Sequence, residues 1–127
     1  MMRYTLPLLL LLLTAQCSTS QSTVNLDVNR FEKQLQDNTS KIILDVRTPE
    51  EFAGGYIPGA ILIDYYSSDF RQQIQKLDKT RPVYVYCAAG GRSSSAAKIL
   101  AASGFTRVYN LEGGFNAWKK AGKPVNK

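Results

Sequence analysis

The run Val83-Tyr84-Val85-Tyr86-Cys87-Ala88-Ala89-Gly90-Gly91-Arg92-Ser93 restricts this chain more than any other stretch. Val83 to Tyr86 follows Pro82 and is built of β-branched and aromatic residues, the signature of a short buried strand. From Ser93 onward, Ala96, Ile99, Leu100 and Ser103 recur at i, i+3, i+4 and i+7, which predicts a helix with one apolar face. Between strand and helix lies a tight loop with a cysteine at its first position and an arginine at its sixth.

The same strand-then-helix alternation runs along the rest of the chain. Val24 to Leu26 reads as a strand, and Asp27 as the N-cap of a helix whose face carries Val28, Phe31 and Leu35. Ile42-Ile43-Leu44-Asp45-Val46 is an apolar run with a carboxylate near its end, as in a buried parallel strand. Thr48-Pro49-Glu50-Glu51 is a capping box with proline at the first helical position. Ala60 to Ile63 is a third strand, followed by a helix marked by Phe70, Ile74 and Leu77, with Ser67 as its candidate cap. Arg107 to Tyr109 is a last strand, and Gly113-Gly114 introduces a helix bearing Phe115 and Trp118. The pattern predicts an α/β domain over residues 24–125: a mainly parallel sheet with helices on both faces. In such folds the reactive loops lie at the C-terminal ends of strands, where both Asp45 and Cys87 fall.

The loop after Tyr86 has the chemistry of an anion cradle. Gly90 and Gly91 can take φ > 0 and carry no Cβ, so successive backbone N–H groups can converge on one point. That point faces a helix N-terminus, where dipole and unpaired N–H groups favour negative charge. A cysteine held there has its pKa lowered toward the thiolate, whereas the alternative reading of Cys87 is a small buried apolar residue at a strand end. The chain has no histidine, so no Cys–His pair can activate the sulfur and the loop itself must do so. The two cysteines, Cys17 and Cys87, form neither a disulfide framework nor a metal site, and no cofactor is called for. The formal charge of +6 is scattered, with no basic run and no aromatic interleaving, so nucleic acid is not an expected partner.

The N-terminus reads differently. Arg3 precedes an apolar run from Leu6 to Leu13, too short for a bilayer-spanning anchor, which needs roughly 20 residues. Residues 1–16 are therefore expected to be a signal peptide, and 17–23 a polar tether. Cleavage after Ala15 is one alternative. A lipoprotein-type cut leaving Cys17 as the acylated terminus is the other, since Leu13-Thr14-Ala15-Gln16-Cys17 loosely resembles a lipobox. The expected location is the periplasm or cell envelope, with membrane attachment only through a lipid on Cys17, and the expected state is a monomer.

Four motifs in order resemble a single-domain rhodanese: Leu44-Asp45-Val46-Arg47-Thr48-Pro49-Glu50-Glu51-Phe52, Gly55-Tyr56-Ile57-Pro58-Gly59-Ala60, Cys87-x-x-Gly90-x-Arg92-Ser93, and Leu111-Glu112-Gly113-Gly114-Phe115-x-x-Trp118. The resemblance implies a sheet of five parallel strands flanked by helices. It also implies a sulfurtransferase that moves sulfane sulfur from thiosulfate or a polysulfide to a thiol or cyanide through a persulfide on Cys87. The N–H groups of Ala88, Ala89, Gly90, Gly91, Arg92 and Ser93 would hold the anionic outer sulfur, and Arg92 would brace the loop or draw in an anionic donor. Asp45 and Arg47 match the family's D-x-R pair and are expected mainly to organise loops by ion pairing; Trp118 is expected to pack.

Two positions depart from the family, the first usually structural and the second bearing on substrate. Tyr56 stands where histidine is frequent, and Ala88 where many relatives have arginine, which weakens the case for thiosulfate as donor. Phosphatases and arsenate reductases on this fold need C-x5-R, whereas Cys87 and Arg92 give C-x4-R, a loop one residue too short for a phosphoryl group. The remaining alternative is a non-enzymatic envelope binding or sulfur-relay module that depends on a partner protein.

Overall fold

The computed structural model describes residues 1–2 and 23–127. The expected signal segment from Arg3 onward, both cleavage alternatives, Cys17 and the tether through residue 22 lie outside the described residues. Thr23, assigned to the tether from sequence, is instead the first residue of a strand.

The strands are β1 (Thr23–Leu26), β2 (Ile42–Asp45), β3 (Ile61–Leu62), β4 (Val83–Tyr86) and β5 (Val108–Leu111). The helices are α1 (Val28–Asp37), α2 (Pro49–Ala53), α3 (Phe70–Gln75), α4 (Gly91–Ala102) and α5 (Gly114–Lys120). All pairings are parallel, in the order β1-β5-β4-β2-β3. The two most apolar runs, β2 and β4, are buried along their whole length and sit side by side, with Leu44 opposite Val85. That is what a parallel sheet covered on both faces requires of its inner strands.

Side chains alternate across the sheet. Ile42, Leu44, Val83 and Val85 point to one layer, where Phe70 and Ile74 of α3 and Ala96, Ala97 and Leu100 of α4 cover them. Ile43, Tyr84 and Tyr86 point to the other, covered by Phe31 and Leu35 of α1 and Phe115 and Trp118 of α5. The two buried tyrosines keep their hydroxyls paired: Tyr84 Oη donates to Gln34 Oε1 at 3.0 Å, and Tyr86 Oη accepts from the Ile57 N–H at 3.0 Å. Trp118 is packing, as expected, edge-on to Phe31, its indole N–H donating to the Pro124 carbonyl at 2.8 Å.

Local signals in the sequence hold at the starts of α1 and α2. Asp27 caps α1 by accepting from Arg30 N at 2.9 Å, and Thr48 with Glu51 closes both halves of the capping box on α2. Beyond one-residue shifts at the start of β1 and the end of β2, other boundaries differ. β3 is only Ile61–Leu62, because the Ala60 N–H turns back to the Ile57 carbonyl. β5 begins one residue later than Arg107 and continues to Leu111, pairing Asn110 with Val85. α3 has Asp69, not Ser67, at its N-cap; the Ser67 hydroxyl donates to the Asp69 carboxylate and accepts no N–H of the helix among the described residues. α4 starts at Gly91, two residues before Ser93, and buries Ser93, Ala96, Ala97, Leu100 and Ala101, leaving Ile99 half-buried. The small residues let α4 lie close on the sheet, so its inner face is set by size more than by the apolar periodicity.

Candidate active site

β4 delivers Cys87 to the C-terminal edge at the centre of the sheet, directly before α4. Its residue is 1% exposed, so the sulfur lies on the floor of the loop. Gly90 turns the chain with φ of 112° and donates its N–H to Cys87 Sγ at 3.1 Å. Gly91 differs from expectation. It is already helical, with no positive φ, and a Cβ built on it meets nothing within 4 Å, so the left-handed step falls on Gly90 alone.

Two influences compete over the thiol. Burial, the larger single one, pushes its pKa up; the Ser93 hydroxyl and the N–H groups of Ser93, Gly90 and Ala89 outweigh it, leaving the pKa below that of a free cysteine. The Ser93 hydroxyl has one hydrogen and two acceptors in reach, the sulfur and the Gly90 carbonyl at 3.3 Å. Once the sulfur is anionic it is the stronger acceptor. Ser93→Ala should therefore slow alkylation of Cys87 by iodoacetamide at pH 7 roughly tenfold, with the pH–rate profile displaced upward, since a hydrogen bond to a charged group contributes about 1.5–3 kcal/mol. An unchanged profile would show that the backbone amides suffice.

The loop is held from outside at two places. The first is Arg92, whose guanidinium forms a bidentate pair with Glu51 at 2.7 and 2.9 Å and also feels the charge of the Cys87 sulfur. This geometry braces the loop against α2. Arg92, with help from Thr48, holds the Glu51 carboxyl down to about 2 against the opposing effect of burial, so the pair stays ionised throughout the neutral range. Glu51 was read from sequence only as half of a capping box; nothing local to Thr48–Glu51 signals that α2 abuts a loop forty residues on.

The second is α5. The Phe115 N–H donates to the Cys87 carbonyl at 2.7 Å and the Asn116 N–H to the Ala88 carbonyl at 3.0 Å. With both carbonyls drawn toward α5, the N–H groups of the loop are left facing the sulfur. Gly114 permits the approach: it has φ of 61°, and a Cβ there would sit 2.5 Å from the Cys87 carbonyl oxygen and 2.6 Å from Ala88. The sequence marked Gly113-Gly114 as a helix opening; the close backbone contact is the larger reason for the second glycine.

Asp45 and Arg47 lie beneath this assembly rather than in it. They are buried, at 0% and 4% exposure, and joined by three side-chain bonds of 2.7–3.1 Å. Arg47 Nη2 also donates to the Gly55 carbonyl at 2.7 Å, and the guanidinium lies 4.2 Å from the centre of the Phe115 ring. The pair thus ties the turn at Gly55 to the first turn of α5. Tyr56, at the position where histidine is frequent, stacks on Phe52 at 4.1 Å and bonds through its backbone to Asn126. Among the described residues no cluster of acidic, histidine or cysteine side chains is placed to hold a metal.

The family pattern described as rhodanese-like domain matches residues 27–121. A protein named sulfurtransferase from Allochromatium vinosum is 35% identical over 100 residues, covering 79% of this chain and 92% of that one. Thiosulfate sulfurtransferase GlpE of Pseudomonas putida is 38% identical over 87 residues, 68% of this chain and 76% of that protein. Among solved structures, a rhodanese-related protein from Thermoplasma volcanium superposes with a TM-score of 0.72 at 29% identity, covering 81% of this chain and 97% of that one. The matched region takes in every strand from β2 to β5 and both helical layers, and the chain belongs to the rhodanese-like domain family.

Proposed function

We propose that this protein is a sulfurtransferase that carries sulfane sulfur as a persulfide on Cys87. The observation that carries the reading is the hydrogen-bond shell of the sulfur: Gly90 N–H at 3.1 Å, with Ala89 and Ser93 beside it, at the head of a twelve-residue helix. Relatives named sulfurtransferase agree with it.

In the first step the Cys87 thiolate attacks the outer sulfur of the donor. With thiosulfate the S–S bond breaks, its electron pair leaves with sulfite, and the transferred sulfur stays bonded to Cys87 Sγ as an anionic persulfide. In the second, a thiolate or cyanide attacks that sulfur, and the electron pair of the S–S bond returns to Cys87. The negative charge moves along one line without a proton donor, and fixed N–H dipoles stabilise it at both ends. The Arg92 guanidinium is already paired with Glu51, so little of its charge is left for an anionic donor, and Ala88 adds none. Polysulfide is therefore the better-suited donor and thiosulfate the weaker one. The leader-like Leu6 to Leu13 supports work in the cell envelope, free or tethered by lipid at Cys17.

Intact mass spectrometry tests the reading. Incubation with thiosulfate or polysulfide should add the mass of one sulfur atom, and cyanide should remove it as thiocyanate. Failure to load from either donor would leave a relay module dependent on a partner protein.

A further inference from the structure

Beyond Tyr66 lies a groove of about 580 Å³ whose lining includes Tyr65, Tyr66, Ser67, Ser68, Arg71 and Gln72 but no residue of the catalytic loop. It is far larger than cyanide or an inorganic sulfur donor needs. Its near end is Tyr66, 69% exposed, with the Arg92 guanidinium 5.6 Å from the centre of its ring. Ile99, which also lines the groove, is seven residues after Arg92 on the same face of α4, about 10 Å along the axis. The groove thus lies between residues 65–72 and Ile99 of α4, and meets the catalytic loop only through the contact of Tyr66 with Arg92.

Its walls are preformed. The Tyr66 N–H donates to Asp64 Oδ1 at 2.9 Å, and its ring packs edge-on against Tyr65, which packs in turn on Phe70. The only ionised side chain in the lining is Arg71. Arg71 is exposed and has no ion pair among the described residues, in contrast to Arg47 and Arg92. The nearby carboxylates are already engaged: Asp64 by the Tyr66 N–H, Asp69 by the Ser67 hydroxyl and the Gln73 amide.

Resting on the sulfurtransferase reading, we infer that this groove is the acceptor subsite and that it selects organic thiols bearing a carboxylate at the far end from the sulfur. The thiolate would enter past Tyr66, its carbon chain lying on the aromatic wall and its carboxylate on Arg71. Attack on the outer sulfur of the Cys87 persulfide breaks the persulfide S–S bond, returns its electron pair to Cys87 and releases an organic persulfide. No oxidant is consumed, and the acceptor's proton goes to solvent when the thiol ionises.

The test compares 6-mercaptohexanoate with 6-mercaptohexanol as acceptors for the sulfur-loaded full-length protein, with cyanide discharge reporting whether Cys87 carries sulfur. KM for the carboxylate thiol should be roughly three- to fivefold below that for the alcohol, the scale of one exposed ion pair. Arg71→Gln should abolish that preference, and high salt should erode it. Tyr66→Ala should raise KM for both thiols together. Equal KM values in the wild type, or an Arg71→Gln effect shared by both thiols, would overturn the subsite while thiocyanate formation still upheld sulfur transfer. Absence of thiocyanate would overturn both.

Discussion

Cys87→Ser is expected to abolish sulfur loading altogether, leaving the protein's mass unchanged after thiosulfate or polysulfide. A serine hydroxyl is not ionised near neutrality, and the chain has no histidine to take its proton, so the cradle can offer it only fixed dipoles. Turnover to thiocyanate should fall to the uncatalysed background. The substitution is nearly isosteric and should leave the fold intact, because the N–H groups of Gly90 and Ser93 keep an acceptor at the same place. The thermal transition checks that point. Undiminished loading and thiocyanate turnover in the serine variant would mean that sulfur is carried elsewhere in the chain, and would remove Cys87 from the mechanism.

The second large effect is on stability. Arg47→Met keeps most of the side chain's volume over Phe115 but leaves the Asp45 carboxylate fully buried without its cation. Breaking one side of a buried pair costs about 3–5 kcal/mol. Against a typical domain stability of about 5–15 kcal/mol, that is a large fraction, and Tm should fall on the order of 15–25 °C. Adding Asp45→Asn should recover much of the loss, since asparagine is neutral and still accepts the Arg47-position N–H that Asp45 Oδ1 accepts at 2.9 Å. Denaturant melts of the single and double variants decide it. A single variant as stable as the wild type would show the pair to be dispensable, and sulfur loading measured below the transition would show whether Phe115 still positions the loop.

The strands and their parallel pairing were legible because apolar runs of four or five residues between helix signals leave little choice but a parallel sheet; their order in the sheet was not. The nucleophile was legible because Cys87, Gly90 and Arg92 are close in sequence as well as in space. What the sequence did not disclose are contacts between motifs. Glu51 meets Arg92, and Phe115 meets the Cys87 carbonyl, only after the sheet has placed α2 and α5 against the same loop. Each of those residues already had a sufficient local reason to be there, as a helix cap or a core aromatic. Gly91 is the converse case: its place beside Gly90 suggested a conformational need that the helix, starting at that residue, does not have.

The hydrogen bonds from Phe115 and Asn116 to the Cys87 and Ala88 carbonyls also order events during synthesis. A ribosome delivers Cys87 more than twenty residues before it delivers the helix that shapes the loop around it. Until then the Cys87 and Ala88 carbonyls lack the two donors that hold them away from the sulfur, although Ala89, Gly90 and Ser93 are already in place. A product that stops before Gly114 should therefore keep the cysteine but react more slowly with iodoacetamide than the whole domain does.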